Sequence, residues 1–112
     1  MNIRGKVIPG SGRARTLGFP TLNIPQDDGS VTGIFAATVL ITGRTYHAAV
    51  FADRERKILE AYLLDFDDEI EAEEITINLV KKIRDAQKFT DDTELQRAIA
   101  ADVRAVREHF KP

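Results

Sequence analysis

Apolar and polar residues alternate in short runs through the first three quarters of this chain, then settle into a spacing of three and four. The alternating runs fall at residues 3–8, 21–24, 33–42, 45–51, 58–66 and 74–83, each bounded by Gly, Pro or charged residues, and they predict six short strands. The last is the plainest: Ile75, Ile77 and Leu79 alternate with Thr76, Asn78 and Val80, which puts one face of a strand in a core. Runs 33–42 and 45–51 meet at Thr42-Gly43-Arg44, where the glycine can take positive φ, so they predict an antiparallel hairpin. Leu95, Ile99, Val103, Val106 and Phe110 then form the stripe of an amphipathic helix, with Asp91 and Glu94 placed to cap its start. Many antiparallel strands followed by one helix predict an all-β domain, a closed or nearly closed barrel with the helix packed outside. Strand and helix do not alternate, which argues against a Rossmann or P-loop domain, and no G-x-x-x-x-G-K-[ST] loop is present. Any phosphate chemistry needs another cradle.

With 112 residues, the chain is read as one domain, residues 1–112. No apolar run reaches the roughly 20 residues of a membrane-spanning helix, and residues 1–10 lack the apolar stretch of a signal peptide. Without cysteine there are no disulfides, no thiol nucleophile and no thiolate metal site, so a cytoplasmic location is expected. The net charge of −2 conceals an asymmetry. Residues 1–25 carry Arg4, Lys6, Arg13 and Arg15 and no acid, whereas residues 53–74 carry ten acids against Arg54, Arg56 and Lys57. A basic patch of this kind suits a polyphosphate or a nucleic acid, and equally an ordinary solvated surface. An acidic pI near 5.7, only two tyrosines, no tryptophan and no interleaving of basic with aromatic residues argue against a nucleic-acid-binding barrel. The expectation is a monomer without nucleic-acid or membrane partners.

The segment richest in potential chemistry is residues 10–24, GSGRARTLGFPTLNI. Glycines let backbone N–H groups approach a phosphate, arginines supply forked donors, and a hydroxyl with a side-chain carbonyl can complete a Mg²⁺ shell made mainly of water and phosphate. The same residues also suit a loop entering a strand after Pro20, with Thr21 and Asn23 bonding only nearby backbone.

LGFPTLNI is similar to the Gly-Phe-Pro-Thr-x-Asn signature of the riboflavin kinase family. The resemblance continues through Gly33-Ile34-Phe35, through LEAYLLDF at residues 59–66, and through IRDAQKF at residues 83–89 into a helix containing Ile and Asp. Four segments in the family's order cover nearly the whole chain. The resemblance implies a six-stranded antiparallel Greek-key barrel with a C-terminal helix, and an activity: transfer of the γ-phosphoryl group of ATP to riboflavin, giving FMN and ADP with Mg²⁺, or Mn²⁺ or Zn²⁺ in its place. It also implies roles. Gly10 and Arg15 match residues that contact nucleotide phosphates, Thr21 and Asn23 those that reach metal and phosphate, Glu60 the catalytic base, and Arg84 and Phe89 the border of the flavin. Taken alone, Glu60 would suit a solvent-facing edge, Arg84 a strand-end surface charge and Phe89 a core anchor. His47, within a strand, and His109, near the chain end, are poor rival bases.

Four departures from the family pattern bear on activity. Ala14 stands where a glycine is usual, which predicts a stiffer phosphate loop. The connection between Phe51 and Leu59 is short, Tyr62 replaces a histidine, and Glu71-Ala72 replaces a Tyr-Gly whose tyrosine lines the nucleotide site. The alternative to a working kinase is therefore a relative that binds flavin or nucleotide without turnover.

Overall fold

A computed structural model describes residues 1–9, 12–66 and 72–112. The strands are β1 (Asn2–Lys6), β2 (Leu22–Pro25), β3 (Gly33–Ile41), β4 (Arg44–Asp53), β5 (Ile58–Leu63) and β6 (Glu74–Arg84). Two helices accompany them, a single turn α1 (Arg13–Thr16) and the long α2 (Asp92–His109). All strand pairs are antiparallel, in the order β1-β6-β3-β4-β5-β2. The β3-β4-β5 meander, with β6 returned beside β3, is the Greek key. An isolated bridge between Ile8 and Asn23, with the Ile8 N–H donating to the Asn23 carbonyl at 2.8 Å, draws the two ends of the sheet together and nearly closes the barrel.

Six expected strands are present, with ends shifted by a few residues. Run 3–8 pairs as a strand only to Lys6, and run 58–66 ends at Leu63 because Leu64 and Asp65 turn, Asp65 at φ 57°. The β3–β4 hairpin forms where expected. Both turn residues take positive φ, Thr42 at 44° and Gly43 at 82°, which a two-residue type I′ connection needs. The short 52–58 connection is also a tight hairpin. The Asp53 carboxylate accepts from the N–H groups of Glu55 and Arg56, both at 3.1 Å, and so organises the turn locally.

Period-2 alternation divides the sheet into two buried faces. Inward residues, among them Ile24, Val39, Val50, Leu59, Ile75 and Ile77, fill the barrel and are fully buried. On the outside, Ala36, Ala49, Leu64 and Val106 form a second apolar layer, joined at its margin by Tyr62, Ile83, Val103 and Phe110. Alanines at 36 and 49 let α2 lie close to the sheet. Its start is capped as expected, the Asp91 carboxylate accepting from the Thr93 N–H at 2.7 Å. Leu95 and Ile99, at the start of the stripe, are only half-buried.

One glycine is fixed by geometry. Gly33 has φ 102°, and a Cβ there would lie 2.5 Å from the Arg84 carbonyl oxygen and 2.6 Å from Lys82 Cε. It admits β3 to close contact with β6 where the register between them shifts. Gly33→Ala is expected to lower unfolding free energy by about 2 kcal/mol or more, from left-handed strain and overpacking together, as read from denaturant midpoints. An unchanged midpoint would show that the two strands can separate here without cost.

Candidate active site

Register builds the site. Asn23 of β2 lies opposite Glu60 of β5, Glu60 opposite Phe51 of β4, Phe51 opposite Ile34 of β3, and Ile34 opposite Arg84 of β6. Directly opposed residues of antiparallel strands share a face. The inward partners of these strands, such as Ile24, Leu59, Ala61 and Val50, occupy the core, so this cross-strand row lies on the outer face. Four strand spacings carry it roughly 15–20 Å across the sheet. Between Ile34 and Phe35, β6 supplies one residue more than β3. That bulge lets two sequence neighbours serve the same side: Ile83 joins the apolar layer under α2, and Arg84 bonds to α2.

At one end of the row stand Thr21, Asn23 and Glu60. The Thr21 hydroxyl donates to Asn23 Oδ1 at 3.0 Å, so the two side chains point together, as their i, i+2 spacing predicts. Asn23 is only 5% exposed, and Thr21 half-buried. A hydroxyl and an amide oxygen are the hard, neutral donors that could complete the shell of a divalent cation held mainly by water and phosphate. Beside them Glu60 is half-buried. Burial raises its carboxyl pKa above the ordinary value, the Asp53 carboxylate raises it further, and Arg56 opposes both.

The other end is held differently. Arg84 forms a two-pronged ion pair with Asp102 of α2, Nε to Oδ1 and Nη2 to Oδ2, each at 2.8 Å. Its Nη1 donates to the Asp85 carbonyl at 3.0 Å. Arg84 is therefore no loose surface charge. Phe89 is half-buried on the loop that follows, with its carbonyl accepting from Arg13 Nη2 at 3.0 Å.

The segment after Gly12 bends over this region. Its turn α1 closes through the Thr16 N–H to the Gly12 carbonyl at 3.0 Å, and the Ala14 carbonyl accepts from both Leu17 and Phe19. Ala14 thus sits in right-handed helix, where alanine is the best residue and no glycine is needed. Positive φ is taken instead by Gly12 and Gly18. Arg15 is exposed on α1, and no ion pair joins it to the described residues. Arg13 also reaches Asp92, and Gln96 of α2 donates to the Leu17 carbonyl at 3.2 Å, so the basic loop is tied to the 85–91 loop and to α2. Phe19 meets Tyr62 edge-on, ring centroids 5.3 Å apart. Tyr62, the departure beside Glu60, thereby pins the Phe-Pro-Thr segment to β5.

Gly10 and Glu71 lie outside the described residues. His47 stacks on Phe110 at 3.9 Å, and His109 also packs on Phe110, so both imidazoles belong to the far end of α2. Sequence reasoning named Arg13 only as one basic residue among several, and missed its hold on Phe89, the Arg84–Asp102 pair and the Phe19–Tyr62 contact. Arg13 lay in the basic segment already singled out, and Asp102 left a sign as a charge at a position of the apolar stripe.

The family model for flavokinase, described as riboflavin kinase, matches residues 1–110. A bifunctional riboflavin kinase/FMN adenylyltransferase of Escherichia coli is 36% identical over 117 aligned positions, covering 96% of this chain and 37% of that protein. The chain thus spans well under half the length of the curated relatives it matches. The riboflavin kinase structure of Trypanosoma brucei superposes with a TM-score of 0.64 at 26% identity, covering 97% of this chain and 78% of that one. A structure of a Streptococcus pneumoniae macrolide-efflux protein shares the fold, with a TM-score of 0.74 at 24% identity over 95% of this chain and 36% of that one.

The Glu60 environment has a measurable consequence. Because folding raises its pKa, the protonated form contributes stability below the unfolded value near 4.5, and that contribution is lost as pH rises through the folded value. Glu60→Gln removes the titration. The stability gap between variant and wild type is expected to widen in the variant's favour as pH rises through this window and then to level off, in chemical denaturation at stepped pH. A gap independent of pH would mean that the carboxylate is not held in a desolvated place.

Proposed function

The chain belongs to the riboflavin kinase family of enzymes, and on that premise we propose that it transfers the γ-phosphoryl group of ATP to the ribityl 5′-hydroxyl of riboflavin, releasing FMN and ADP. The observation that carries this reading is the placement of a half-buried Glu60 directly across from Asn23 and beside the paired oxygens of Thr21 and Asn23.

Phosphoryl transfer asks a protein chiefly to position two reactants and to offset charge on the transferred group. Glu60 accepts the proton of the 5′-hydroxyl as that oxygen attacks phosphorus. Its raised pKa makes the carboxylate a better base. Thr21 and Asn23 would hold a divalent ion, which would supply positive charge against the phosphates. Arg15, exposed on α1, extends its guanidinium toward the phosphates. Flavin lies toward Arg84 and Phe89, so the acceptor spans the row from the 85–91 loop to Glu60. The short 52–58 connection closes as an ordered hairpin and leaves Glu60 in its strand.

Incubation of the chain with riboflavin, ATP and Mg²⁺, followed by chromatography, should yield FMN. Glu60→Gln should slow turnover by ~10²–10⁴-fold, the usual range for a lost general base, with riboflavin affinity nearly unchanged. Undiminished turnover in the variant would remove Glu60 from the chemistry, and no FMN from the wild type would sink the proposal.

A further inference from the structure

Asp102 is 6% exposed and is the only charged residue buried among the described residues. It occupies the core-facing stripe of α2, between Ile99 and Val106, beside an apolar layer that includes Ile83 and Val103. A buried ion pair is poor value for stability alone, because a well-packed apolar pair in its place is commonly neutral or better. Its retention in this layer calls for a geometric purpose. Three contacts fix the guanidinium of Arg84: two to Asp102 and one to the carbonyl of Asp85, where the 85–91 loop begins. Further along, Arg13 holds the same loop at the Phe89 carbonyl. Two of the five guanidinium N–H groups remain, along with the flat face of the group.

We propose that Asp102 is a positioning residue for the flavin: it locks Arg84 so that the remaining donors and the planar face meet a flat heteroaromatic ring bearing carbonyl oxygens, and it holds the root of the loop that carries Phe89. The inference rests on riboflavin being the acceptor. Asp102 itself touches no substrate. It acts on binding of the acceptor and not on the nucleotide or on proton transfer at Glu60, which lies three strands away along the row.

The test compares wild type with Asp102→Asn, Arg84→Met and the double variant Arg84→Met/Asp102→Leu, which replaces the ion pair with apolar side chains and so guards against loss of the fold. Riboflavin affinity is read from quenching of flavin fluorescence, ATP affinity from calorimetry, and folding from thermal midpoints. The double variant is expected to melt near the wild-type temperature. All three variants should bind riboflavin about tenfold to a hundredfold more weakly, the range for losing a charge-assisted hydrogen bond, while ATP affinity stays within about twofold. KM for riboflavin should rise more than kcat falls. Wild-type riboflavin affinity in a folded Asp102→Asn, with affinity lost in Arg84→Met, would show that Arg84 acts without Asp102 and overturn the inference. Wild-type affinity in the double variant would reduce the pair to a structural one. A wild type that phosphorylates or binds no riboflavin would overturn the proposed function, and this inference with it.

Discussion

Strand register is the constraint on which the rest of this structure depends. A strand slipped by one residue turns every side chain to the opposite face. In β5 such a slip would carry Leu59, Ala61 and Leu63 out of the barrel and drive Glu60 and Tyr62 into it. The transfer free energy of the buried apolar residues therefore fixes the position of the carboxylate, although the carboxylate contributes nothing to that energy. Asn23, Phe51 and Ile34 are set by the same logic on their own strands. The site is the outer print of an inner core.

Polar groups within this frame are held at a cost that packing alone does not explain. Asn23 is buried but bonded to Thr21, Asp102 is buried but doubly bonded to Arg84, and no buried side-chain polar atom among the described residues lacks a partner. Glu60 differs, since desolvation and the Asp53 charge both resist its ionisation and Arg56 offsets them only in part. A strained proton affinity at one end of the row and a rigid guanidinium at the other are different electrostatic solutions, produced by how far each side chain is covered and by what faces it.

Much of the fold was legible because it repeats. Period two marked the six strands, the glycine at 43 marked the hairpin, and the three-four spacing marked α2. Where the periodic signal was too short, reading failed. The turn α1 is four residues held by the carbonyls of Gly12 and Ala14, and no hydrophobic stripe announces it. The departure at Ala14 could be weighed only once the backbone there was seen to be helical, a conformation alanine favours. Thr21, Asn23 and Glu60 were identified from the order of family-like segments, since composition would have assigned them to loop and edge. Their proximity then follows from pairing between β2 and β5, which joins segments far apart in sequence. Asp102 needed the third dimension, because its partner lies across the layer at the end of β6.

The position of β1 in the sheet has a consequence for synthesis on the ribosome. Asn2 to Lys6 are made before the other strands of this barrel, yet their ladder partners are Asn78 back to Glu74, in its last strand. The β3-β4-β5 meander is local and can pair as it is made, but one edge of β3 stays open until β6 arrives. Until then β1 has no ladder to join. The nascent barrel therefore carries an unpaired β1 and an uncovered edge of β3 until β6 is made, the interval in which holdase chaperones would have most to do.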